Sequence, residues 1–252
     1  MIEFLTPLAL VVACAVAFGA GLVKGLVGFA MPMIMISGLS SVMAPELALA
    51  GLILPTLMTN GVQALRQGWR AAWGSIRRFR IFLVVGAVML LLSAQLVRIM
   101  PSHVMLLAIG VPITLFAISQ LLGHALVLRQ ASQWLEIAIG ALAGFVGGFS
   151  GVWGPPTVAY LTALNTGKHE QMRVQGVIYG LGAVMLFIAH IGSGVIRAET
   201  LPLSATMVLP ALTGMWIGGR LQDRIDQAGF RRATLVVLLL AGANLIRRAV
   251  MG

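Results

Sequence analysis

The chain has 252 residues, 59% of them hydrophobic and 10% charged, where a soluble domain carries roughly 25% charged residues. Its mean hydropathy is +0.99, and fifteen Arg and two Lys against five Glu and two Asp give a formal net charge of +10. This composition excludes a soluble enzyme domain, a disordered tail and a nucleic-acid-binding domain. It leaves an all-α polytopic membrane protein with room for about six to eight segments of about 20 apolar residues.

Cut at charges and turn residues, the hydrophobic runs cover 5–38, 44–65, 80–97, 104–128, 134–163, 174–196, 203–219 and 233–246. The first run holds Cys14, the only cysteine, so no disulfide and no cysteine-based metal site is expected. The stretch before Cys14 looks superficially like a lipoprotein cleavage box. Only Glu3 precedes it, whereas a signal peptide starts basic, so the segment reads as retained membrane structure. The run 44–65 is a simple span carrying Asn60 and Gln63. The polar stretch after it holds Arg66, Arg70, Arg77, Arg78 and Arg80, with Trp69 and Trp73 beside them as interfacial anchors. The runs 80–97, 104–128, 174–196 and 203–219 also read as simple spans, and 233–246 is short enough to extend into its flanks. Gln175, Tyr179 and His190 lie in the run 174–196.

The runs 5–38 and 134–163 are too long for one span, and each carries a Gly/Pro cluster. At an offset of 123, Gly21 matches Gly144, Val23 matches Val146, Gly25 matches Gly148, Gly28 matches Gly151 and Pro32 matches Pro155, five identities in twelve ungapped positions. The offset is about half the chain, which points to a duplicated unit. Repeat 1 is 1–128 and repeat 2 is 129–252. Small-residue packing of the GxxxG type accounts for Gly21/Gly25 and Gly144/Gly148, but not for a proline four residues after the last shared glycine in both copies. Each cluster is therefore read as a broken helix, with Pro32 and Pro155 opening the second half. Non-helical backbone in hydrocarbon survives only where protein or a cavity surrounds it, so paired breaks suggest a central site of the kind secondary transporters use.

The basic residues bear on topology. If both broken segments cross fully, nine basic residues fall inside and seven outside, which is almost no bias. If each enters and returns to its own side, the division is twelve inside against Arg98, Arg197, Arg247 and Arg248 outside, the better solution under the positive-inside rule. Each unit is then a re-entrant broken helix plus three transmembrane helices. The two repeats are inverted, and both termini face the periplasm.

At the two glycine clusters, and at Lys168-His-Glu-Gln-Met-Arg173 running into Gln175 and Tyr179, the chain resembles the sulfite exporter TauE/SafE family of bacterial membrane proteins. In that family a glycine-rich motif opens each of two repeats. The first copy here departs from the pattern with Phe29-Ala30-Met31-Pro32, the second with Trp153-Gly154-Pro155-Pro156. The resemblance implies a multi-pass protein of the bacterial inner membrane that moves sulfite, organosulfonates or related organic anions, often outward. It calls for no cofactor or metal, its partners are the small anion and the lipid bilayer, and a homodimer is compatible with it.

The residues point to an anion independently. No acidic side chain lies between Glu3 and Glu46 or between Glu136 and Glu170, the windows that hold the breaks. Lys24 lies inside the first. Intramembrane charges are costly and usually functional, although a lysine can also snorkel to the interface. The expected substrate-binding residues are Lys24, Gly25, Gly28, Asn60, Gly148, Ser150, Gly151, Trp153, Gln175 and Tyr179, with the anion between breaks spanning Gly25–Pro32 and Gly148–Pro156. Two other readings exist. One is a passive anion channel. The other is a rhomboid-like serine protease using Ser150 in Gly148-Phe-Ser-Gly151 and His190, chemistry that a nucleophile and base would supply. The serine sits in a duplicated motif whose other copy has Val27, which a protease does not need.

Overall fold

The apolar runs fold as helices. The computed structural model describes residues 6–39, 41–96, 102–124, 128, 132–150, 154–192 and 195–251, and among these it contains eleven helices and no strand. They are α1 Pro7–Val27, α2 Met31–Leu39, α3 Pro45–Leu65, α4 Trp69–Arg78, α5 Arg80–Leu96, α6 Ser102–Leu121, α7 Gln133–Ser150, α8 Gly154–Ala163, α9 Lys168–Gly192, α10 Leu201–Arg224 and α11 Gln227–Met251. Among the described residues, five stretches are long and apolar enough to cross a membrane: Pro7–Val27, Leu47–Leu65, Lys168–Ile188, Leu201–Arg224 and Gln227–Met251. Arg80–Ser93, Gly110–Leu121 and Gln133–Gly147 are shorter apolar helical stretches.

The first long run is broken, as its composition suggests, while the expected break of the second falls on 151–153, outside the described residues. Helix α1 starts at Pro7 behind Thr6, whose hydroxyl accepts the Ala9 N–H at 3.2 Å, a side-chain N-cap. It ends at Gly28, whose φ of 88° lies in the left-handed region that glycine enters without steric cost. The Gly28 N–H donates to Lys24 O at 2.7 Å. Ala30, at φ 72°, is also left-handed, a costly conformation for a residue with a Cβ. Helix α2 then begins with Pro32 in its first turn, where its missing N–H has no partner to lose. Helix α7 ends at Ser150 and α8 starts at Gly154 with Pro155 next. A shift of 123 carries Val27 to Ser150, Met31 to Gly154 and Pro45 to Lys168.

Several boundaries differ from the sequence expectation. The first break begins at Gly28 rather than Gly25, because Gly25 stays helical and packs on α10. The polar stretch after α3 is not plain loop but holds α4, which buries Ala72 and Ser75 and leaves Trp69 and Trp73 exposed. Helices α9, α10 and α11 also run past their apolar cores into flanking polar residues, since backbone hydrogen bonding continues where hydropathy stops.

The chain divides into two compact units. One comprises Met1–Ala72 and Met172–Ile225, the other Trp73–Gln171 and Asp226–Gly252. Each draws helices from both halves of the sequence. In the first unit α1 and α10 run parallel at very close range: Gly21 packs on Ala211, Gly25 on Met215, Gly214 on Phe18 and Gly218 on Leu22. A Cβ at Gly21 would stand 2.1 Å from the Ala211 carbonyl oxygen, so only glycine permits this approach. Helix α2 folds back along α1, bringing Gly38 onto Val16. Helix α3 runs parallel to α10, with Leu54 N donating to Ser204 Oγ at 3.1 Å near one end and Arg66 reaching Asp223 at the other. The core is built from Ala13, Ala17 and Ala20 of α1, Met31 and Met35 of α2, Ile53 of α3 and Met207 of α10.

The second unit pairs α5 with α7 in the same way. Gly144 packs on Gly86 and Gly140 on Phe82, again parallel, and Glu136 accepts the Phe82 N–H at 3.2 Å. Helices α6 and α11 cross antiparallel through Gly110 and Gly242. The shared glycines Gly21 and Gly144 therefore seat α1 and α7, respectively, against a neighbouring helix backbone.

Candidate functional site

Lys24 lies on the buried stripe of α1, following Ala13, Ala17, Ala20 and Gly21 at helical spacing. That stripe faces protein, so the side chain cannot snorkel, and Lys24 is 1% exposed. Its ammonium carries three donors. Among the described residues one is used, toward Asn60 Oδ1 of α3 at 2.5 Å, and no carboxylate lies within ion-pair distance. Asn60 Nδ2 donates to the Tyr179 carbonyl of α9 at 3.3 Å, which turns the amide oxygen toward the lysine.

One turn further along α3, Gln63 Nε2 donates to Met172 O at 2.8 Å and to Gly28 O at 3.1 Å. Gln175 of α9 is fully buried, and with its amide nitrogen facing the break it donates to Val27 O and Gly28 O, each at 3.1 Å. The last carbonyls of a helix have no intrahelical partner. Two glutamines from two neighbouring helices supply partners here and hold the break in place. The lysine side chain thus meets α3 beside a helix end whose Val27 and Gly28 carbonyls are already taken by side-chain donors.

Six of the ten residues expected from the sequence come together in this unit: Lys24, Gly25, Gly28, Asn60, Gln175 and Tyr179. The bare faces of the two glycines are taken by protein, Gly25 by the Met215 carbonyl and Gly28 by the Gln175 amide. Gly148 and Ser150 end α7 in the other unit, and their side-chain surroundings lie outside the described residues. So do Gly151 and Trp153, and the side chain of His190. Gln63 was not among the expected site residues, although it sits three positions from Asn60 and therefore on the same helix face. Its carboxamide oxygen is buried with no hydrogen-bond partner among the described residues. The cluster lies nearer the C-terminal end of α3 than its middle: Asn60 is five residues from Leu65, about 7.5 Å.

The family model described as Sulfite exporter TauE/SafE matches residues 13–245. The chain belongs to the TauE/SafE sulfite exporter family. It is accordingly a membrane transporter, and the match includes every residue of the Lys24 cluster and both breaks. No curated protein and no solved structure matches the chain.

Proposed function

We propose that this transporter exports a small oxyanion, sulfite or an organosulfonate or a related organic anion, across the bacterial inner membrane, and that Lys24 is its principal binding group. The observation that carries the reading is the buried ammonium. A charge taken out of water is normally matched by an opposite charge. Lys24 has only a neutral amide among the described residues, so its field favours an incoming anion. Asn60 fixes the lysine's position, and Gly25, Gly28, Gln175 and Tyr179 form the surrounding wall. Gly148, Ser150, Gly151 and Trp153 mark the matching break of the second repeat.

Two further observations support inverted repeats over 1–128 and 129–252. The starts of α3 at Pro45 and of α9 at Lys168 recur at the offset of 123, and if the apolar helices α5 and α6 cross as α3 is long enough to do, an odd number of crossings separates the two glycine-rich segments. Helix α1 runs parallel to α3 while α2 folds back, as a segment that returns to its own side requires. Fluxes of labelled sulfite, ethanesulfonate and a carboxylate, measured side by side with sodium and potassium in proteoliposomes, test the reading. Flux of at least one of the anions is expected, and flux of cations alone would overturn it.

A further inference from the structure

Between the C-terminal ends of α3 and α10 lies a cavity of about 630 Å³. At about 30 Å³ per water molecule, it has room for a small oxyanion with its hydration shell. Its inner wall includes Gly25 and Gln63, the direct neighbour of Lys24 and the residue one turn beyond Asn60. Its outer wall carries Arg66, Arg220 and Asp223. Arg66 Nη2 bonds Asp223 Oδ2 at 2.5 Å, and both side chains are partly exposed. Arg220 stands over the Trp216 ring with its guanidinium carbon 3.6 Å from the ring centroid, a cation–π contact that leaves its N–H groups in the plane available. Arg66 also answers the helix end of α3. Arg220 is set a turn back from the end of α10 and lines the cavity instead.

Building on the reading of Lys24 as the anion-binding group, we infer that this cavity is the aqueous vestibule through which the anion reaches it. Arg220 and Arg66 capture the anion there, and Asp223 is the competitor it displaces from Arg66. Guanidinium groups suit the task because they offer paired donors to planar or pyramidal oxyanions. The mouth lies at the helix ends where basic residues concentrate, the side expected in the cytoplasm from the charge count, and on that topology the vestibule opens to the compartment from which an exporter loads.

The test uses a cysteine reporter. Cys14 is the only cysteine, so Cys14→Ala gives a clean background for Thr213→Cys in the cavity wall. An anionic sulfonatoethyl methanethiosulfonate and its cationic trimethylammonium analogue are applied to membranes. The expected result is labelling by both, roughly three- to fivefold faster for the anion than the same pair shows on a free thiol, the size of a partly exposed charge contact. Arg220→Gln should abolish that preference, and ethanesulfonate should slow the labelling. An unreactive Thr213→Cys, or one without charge preference, overturns the vestibule. In flux assays Arg220→Gln should raise KM and Asp223→Asn lower it by the same factor, with kcat retained. If Lys24→Met abolishes flux while both of these leave KM unchanged, the vestibule is wrong and the Lys24 reading stands. If the unmodified protein moves no anion, both fall.

Discussion

Replacing Asn60 with aspartate places a carboxylate where the amide oxygen now stands, 2.5 Å from the Lys24 ammonium. The change is nearly isosteric, so the helices need not move. A hydrogen bond between a charged and a neutral group becomes one between opposite charges, while the donor to the Tyr179 carbonyl is lost. A lost net hydrogen bond is worth about 0.5–1.5 kcal/mol and a charged one about 1.5–3 kcal/mol, so the two effects on stability largely offset. Their effect on the anion does not. The site changes from one positive charge to none. At an effective dielectric near 20, a unit charge about 4 Å away contributes about 4 kcal/mol, or roughly a thousandfold in affinity. Asn60→Asp should therefore appear in the membrane at normal abundance, melt within a few degrees of the unmodified protein, and show a KM for sulfite raised by at least about a hundredfold. Asn60→Ala keeps the positive charge and should be much milder. The assay is the concentration dependence of flux in proteoliposomes, alongside melting in detergent. A folded Asn60→Asp with an unaltered KM would refute the view that the transported anion meets Lys24.

Gly21→Ala should lower the melting temperature in detergent, because its Cβ would stand 2.1 Å from the Ala211 carbonyl oxygen; overpacking costs about 1–3 kcal/mol. Gly19→Ala, with nothing within 4 Å, should be neutral or slightly stabilising, and equal shifts in the two variants would contradict the α1–α10 packing. Gln175→Leu should destabilise by about 1–3 kcal/mol, since Val27 O loses its side-chain donor and Gly28 O keeps only that of Gln63; melting at unchanged temperature would show the break is held some other way. Reporter fusions after α11 should give alkaline phosphatase activity and no green fluorescence, as a periplasmic C-terminus requires; a fluorescent fusion would restore eight full crossings.

The apolar helices and the first break were legible because each rests on a local signal, run length and a glycine–proline pattern, and Lys24 stands out as a lone cation in an apolar segment. Which glycine starts the first break was not. Gly25 and Gly28 look alike in sequence, and tertiary contact decides between them, α10 pressing on Gly25 and Gln175 and Gln63 gripping the backbone at Gly28. Helix α4 escaped a hydropathy reading because its amphipathic turns average out as polar. The partnership of α1 with α10 and of α7 with α5 joins distant parts of the chain, and no local pattern announces it. Gln63 and Gln175 read as polar residues in apolar spans; that they cap a helix end depends on where α1 stops. Asn60 was placed at the site by type alone, and its partner only the fold supplies.

The central claim is that the buried Lys24 ammonium binds the anion that crosses. Counterflow of labelled sulfite in proteoliposomes, comparing the unmodified protein with Lys24→Met and Lys24→Arg at matched abundance and comparable melting behaviour, addresses it directly. The account predicts that Lys24→Met abolishes counterflow and that Lys24→Arg, which keeps the charge with altered geometry, retains a measurable part of it. Wild-type counterflow from Lys24→Met would contradict it.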